Sequence, residues 1–153
     1  MPQPTAPILL VEDNPDEADL TKMALRRFGA DTPIQHVCDG QQALDYLFRR
    51  GFFAQRTDAD PVVVLLDLKM PLVDGFGVLA EVKASERLRH TPIVVLTSSA
   101  EPSDRTRAYA AGTNAYMAKP TDFSEFLGAM KHLCEFWLHI NQPPPPAMAA
   151  AWR

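Results

Sequence analysis

Apolar runs of strand length recur at positions 8–11, 34–37, 62–66, 93–96 and 115–117, and each is followed by a stretch with helical periodicity. Strands that are apolar at nearly every position are buried on both faces, so they belong in a parallel sheet with helices packed above and below. The pattern predicts a doubly wound α/β fold, with five parallel strands in the flavodoxin-like order 2-1-3-4-5 and helices on both faces. With 153 residues, 46% of them apolar and 22% charged, the chain can close one core of this kind.

Local signals mark the helix ends. Asn14-Pro15-Asp16-Glu17 offers an N-cap, a proline at the first helical position and a carboxylate at the third, and Gly29 closes that helix. Asp39 is read as the cap of a second helix running to about Arg50, with Leu44, Leu47 and Phe48 inward and Gly51 just after it. A short third helix is expected over 76–85. The fourth, over about 102–111, offers only Ala108, Tyr109 and Ala111 to the core, so it is expected to pack weakly and to move.

The fifth helix begins at Asp122, with Glu125 as capping partner, and places Phe123, Leu127, Met130, Cys134 and Trp137 on the stripe that faces the sheet. Leu133, Phe136 and Ile140 form a second stripe roughly a quarter-turn away, at about 100° per residue, which one sheet face does not readily cover. A protein interface is expected there, most simply a homodimer; return of the tail over the stripe is the other reading. The tail, 141–153, carries Gln142 and four prolines and reads as a stiff spacer outside a domain of residues 1–140. Residues 51–60 form an extended connection whose Phe52 and Phe53 either cover the neighbouring helix or meet a partner.

Charge excludes other functions. A net charge of −4, with no basic cluster beyond Arg26-Arg27 and Arg49-Arg50, leaves no nucleic-acid footprint. No long apolar span or leader suggests a membrane, and Cys38 and Cys134 sit inside apolar patterns without metal-ligand spacing; the expectation is a reduced, cytoplasmic chain. His36, His90, His132 and His139 likewise lack metal spacing and read as surface or boundary residues.

The chemistry lies at one rim of the sheet. Glu12 and Asp13 follow the first strand, Asp67 the third, Thr97 the fourth and Lys119 the fifth, and ligands of open parallel sheets bind beyond these carboxyl ends. Three converging carboxylates repel one another unless a hard cation lies between them, and Mg²⁺ suits a few carboxylates combined with phosphate oxygens and water.

Leu10-Val11-Glu12-Asp13-Asn14, Leu65-Leu66-Asp67-Leu68-Lys69-Met70-Pro71 with Asp74-Gly75, Val95-Leu96-Thr97-Ser98 and Tyr116-Met117-Ala118-Lys119-Pro120 together resemble the receiver domain of bacterial response regulators. The resemblance implies that Asp67 accepts a phosphoryl group from a phosphohistidine of a sensor histidine kinase. It implies that Glu12, Asp13, Asp67 and the backbone carbonyl of Lys69 hold Mg²⁺, and that Lys119 and Thr97 assist. Thr97 and Tyr116 would act as the switch, altering the face made by the fourth helix, fifth strand and fifth helix. The Lys119–Pro120 bond would be cis.

Lys69 and Ser99 stand where the family tunes hydrolysis of the phosphate. The extended 51–60 connection, the Phe136-Trp137-Leu138 helix end and the lack of an output domain resemble stand-alone regulators paired with bacterial phytochrome kinases. Such a module is not an enzyme beyond its own phosphotransfer and dephosphorylation, and it works by contact.

Two other classes fit less well. A haloacid-dehalogenase-like phosphohydrolase would want a second aspartate where Lys69 stands, and a flavodoxin-like cofactor binder would want a glycine- or hydroxyl-rich cradle where Glu12-Asp13-Asn14-Pro15 is anionic. A receiver fold that signals by constitutive binding, without phosphorylation, remains the alternative.

Overall fold

The computed structural model describes residues 6–29 and 31–145. Strands β1 (Ile8–Val11), β2 (Ile34–Val37), β3 (Val63–Leu66), β4 (Ile93–Thr97) and β5 (Ala115–Ala118) alternate with helices α1 (Pro15–Phe28), α2 (Gly40–Leu47), α3 (Gly75–Ala84), α4 (Pro102–Ala110) and α5 (Phe123–Cys134). All pairings are parallel and the order is β2-β1-β3-β4-β5, as the apolar runs predict.

Side chains alternate across the sheet, so each strand feeds two cores. Leu9, Val11, Val64, Leu66, Ile93 and Val95 meet α2, α3 and Ala108 of α4 on one face, while Ile8, Leu10, Val63, Leu65, Val94 and Leu96 meet α1 and α5 on the other. Register sets Val11 beside Leu66 and Val95 beside Tyr116, which brings the strand ends to a common rim.

Capping follows the sequence closely. Asn14 accepts from the N–H groups of Asp16 and Glu17, and Asp39, Asp74 and Asp122 cap α2, α3 and α5. The second helix, however, ends at Leu47 rather than near Arg50: Arg49 takes φ 55° and Gly51 φ 58°. Arg49 donates to the carbonyls of Arg56 and Asp58, and Arg56 lies 3.9 Å from the centre of the Tyr46 ring. Arg87 binds both oxygens of Asp60. These three cations fold the 51–60 connection onto α2, and Phe53 packs edge-on to Tyr46 while Phe52 stays 93% exposed.

Two stripes differ from expectation. On α4 Ala108 is buried and Ala111 packs at the edge of the core, but Tyr109 is half exposed, because it lies one helical step, about 100°, off the 108–111 face. On α5 the buried set is Phe126, Met130, Leu133 and Cys134, with Leu127 and Trp137 beside it and Phe123 exposed. Leu133 therefore belongs to the core rather than to an outward stripe, since it shares a face with Phe126 and Met130. Phe136 and Ile140 remain outside, beyond Cys134, where the helix widens to π geometry over Glu135–Ile140.

Candidate functional site

The acidic pair leaves β1 with its backbone still in the sheet: Glu12 N–H donates to the carbonyl of Val37 at 3.1 Å. Asp67 N–H in turn donates to the carbonyl of Val11 at 3.1 Å, and Lys119 N–H to that of Thr97 at 2.6 Å. The ladder thus fixes the chain on which each functional side chain stands. Glycine does the rest. A Cβ on Gly75 would overlap the carbonyl oxygen of Asp67, and one on Gly40 would overlap that of Val73, so the loop after β3 is pressed against bare backbone at both ends.

Carboxylate oxygens of Glu12, Asp13 and Asp67 lie within 4.8 Å of one another. Glu12 is buried, its Oε1 2.5 Å from Lys119 Nζ and its Oε2 accepting from Asn14 N–H at 3.2 Å. Asp67 Oδ1 accepts from Leu68 N–H at 2.8 Å. Burial pushes the Glu12 carboxyl up to about 7, against the pull of Lys119, with the charge of Asp67 adding to the rise. Burial also raises Asp67, while Lys119, Leu68 N–H, Thr97 and Glu12 oppose it. Three acids facing one ammonium carry excess negative charge, and their donors are all hard oxygens. That set fits a cation such as Mg²⁺.

Thr97 is buried, and its Oγ1 accepts from Ser99 N–H at 3.2 Å. Ser99 is the hub of a small network: its Oγ donates to Asp104 of α4 at 2.6 Å and accepts from Glu101 N–H at 3.3 Å, while its carbonyl accepts from the Tyr116 hydroxyl at 3.1 Å. The fourth helix, weakly packed, is thereby tied to the loop that carries Thr97.

All five rim residues named from sequence come together, and Lys69 lies in the acceptor loop with its side chain in solvent. One expectation fails: no peptide bond among the described residues is cis, so Lys119–Pro120 is trans, the isomer that X–Pro bonds favour by about 0.5–1 kcal/mol. Sequence reading missed Asp104 and Glu17, the latter 3.6 Å from Lys119 Nζ, because neither lies at a strand end. Cys38 is exposed rather than apolar core, and His36 Nε2 lies 2.8 Å from the carbonyl of Glu12.

The model of the response regulator receiver domain matches residues 8–131. The chain belongs to that family. Receiver domains are signalling modules that interact with histidine kinases, and this one resembles several named regulators. The probable methanogenesis regulatory protein FilR2 of Methanothrix harundinacea is 43% identical over 140 residues, covering 92% of this chain and 88% of that protein. The phosphorylated cyanobacterial phytochrome response regulator RcpA superposes with a TM-score of 0.85 at 34% identity, over 92% of this receiver and 99% of that chain. The bacteriophytochrome response regulator RtBRR gives 0.74 at 47% identity, over 95% and 88%. Among the described residues no helix is long and apolar enough to cross a membrane.

Proposed function

We propose that this receiver accepts a phosphoryl group on Asp67 from a sensor histidine kinase and signals through the face made by α4, β5 and α5. The observation that carries the reading is the meeting of three carboxylates within 4.8 Å, with Thr97 at the end of β4 and Lys119 just past β5 beside them.

Leu68 N–H holds the Asp67 carboxylate in one orientation. In the transfer a carboxylate oxygen bonds to phosphorus while the P–N bond of the phosphohistidine breaks, its electron pair returning to the imidazole, and an acyl phosphate results. Mg²⁺ held by Glu12, Asp13, Asp67 and the carbonyl of Lys69 would neutralise charge on the phosphoryl group. Lys119 neutralises it from the other side, and Thr97 donates its hydroxyl to a phosphoryl oxygen. That demand pulls Thr97 away from Ser99 N–H, and Tyr116 and Asp104 lose the loop on which they rest.

The kinase is best sought among phytochromes, given RcpA and RtBRR, and the cytoplasm is the compartment in which such a partner acts. Residues 1–140 act as the receiver and 141–153 as a tail. A homodimer through Phe136 and Ile140 completes the proposal.

Incubation with Mg²⁺ and acetyl phosphate, followed by intact mass measurement, tests the core of it. One phosphoryl adduct is expected on the native chain and none on Asp67→Asn. A native chain that stays unmodified would favour signalling by constitutive binding.

A further inference from the structure

Besides the charge of Asp67, Lys119 has two acids within ion-pair distance, and they are not equivalent. Its ammonium, on a side chain only 9% exposed, lies 2.5 Å from Glu12 Oε1 and 3.6 Å from Glu17 Oε1. Glu12 has competing duties, since it is also one of the three carboxylates grouped for a cation. Drawing Glu12 toward that cation takes from Lys119 its nearer ion-pair partner while Asp67 is drawn to the same cation, and a buried ammonium whose counter-charge is reduced is costly.

Glu17 is placed to take over. It occupies the third position of α1, its N–H fixed to Asn14 Oδ1 at 3.0 Å. A glutamate there ordinarily turns back to the backbone N–H of the cap residue. Here Glu12 Oε2 already accepts from Asn14 N–H, so the Glu17 carboxylate extends to Lys119 instead. A second cluster of charge among the described residues offers no such slack: Arg49, Arg56 and Arg87 spend their donors on Asp58, Asp60, loop carbonyls and the carbonyl of Leu47.

We infer that Glu17 is a positioning residue to which Lys119 is handed when Glu12 turns to the bound cation, so that the ammonium stays paired at the rim of the site. The inference rests on the metal-dependent reading above and adds to it the residue that makes cation entry tolerable. Glu17 itself contacts neither phosphoryl group nor cation.

Titration calorimetry with Mg²⁺ on the full chain decides the matter, using the native protein, Glu17→Gln, Lys119→Met and the double variant. Glu17→Gln is expected to weaken Mg²⁺ binding about three- to fivefold, the scale of a half-exposed ion pair. In the Lys119→Met background the same substitution should change little, because no ammonium is left to hand over. Glu17→Asp, which keeps the charge but shortens the reach, should behave like Glu17→Gln. Unchanged affinity in Glu17→Gln overturns the inference, as does a loss of equal size with or without Lys119, which would mark plain through-space attraction. A native chain that gives no Mg²⁺ heat overturns it too, and takes the metal-dependent reading with it.

Discussion

The two thiols show how differently neighbouring physics treats one residue type. Cys134 is fully buried between α5 and the sheet, and burial pushes its thiol up to about 11, whereas Cys38 is exposed where β2 ends. Only a thiolate with access to solvent is alkylated readily. Iodoacetamide at mild pH should therefore label the native chain once, at Cys38, and twice after unfolding, as read by peptide mass. Stability follows the same proton. From pH 9, the ordinary thiol value, to about 11, the unfolded chain gives up a proton that the native chain keeps, so the native state binds more protons and stability falls as pH rises. Tyr46, pushed up to about 12 chiefly by burial, extends the loss beyond pH 10. Urea midpoints should decline across this window, and less steeply in Cys134→Ala over pH 9 to 11.

At the scale of elements, α4 differs from its neighbours. Ala108 is its buried residue, its cap residue Glu101 makes no side-chain hydrogen bond, and Arg107 lies over Phe76 of α3 with 3.9 Å to the ring centre. Beside the backbone bonds to the Glu101 carbonyl, its first turn is anchored to the preceding loop by the bond from Ser99 to Asp104. Ser99→Ala or Asp104→Ala should raise amide exchange over 102–110 by about tenfold, leave α3 and α5 unchanged, and give no further rise when combined. Local signals explain which elements could be foreseen. Asn14, Asp39 and Asp122 act within three residues, so their caps were legible, and Leu127, Met130, Cys134 and Trp137 do line the inner side of α5; Asp74 as a cap, and Phe126 and Leu133 in place of Phe123, were not foreseen, since the sheet that selects those two is a contact far off in sequence. The early end of α2 was hidden for the same reason, since Arg49 is turned by Arg56 and Asp58.

For the molecule as a whole, parallel topology was written in the strands themselves, because runs such as Val63–Leu66 have no polar side to present to water. The rim site was legible too, since every member ends or follows a strand; Glu17 and Asp104 escaped because they reach it from helices. Association is a property of this scale. Phe136 and Ile140, 45% and 63% exposed, stand together at the far end of the last helix, with Phe136 stacked edge-on to Trp137. Phe136→Glu with Ile140→Glu is expected to give a monomer by light scattering with an unchanged circular dichroism spectrum; a native chain already monomeric would remove the proposed contact.

The bare backbones at positions 40 and 75 carry a last consequence. A methyl group added at position 75 would overlap the backbone of Asp67 and Leu68, and one at 40 the backbone of Val73, so either the acceptor loop or the element beside it would have to give way. Anyone rewiring this module for a new input must leave those two positions empty and recruit specificity from the outward helices instead.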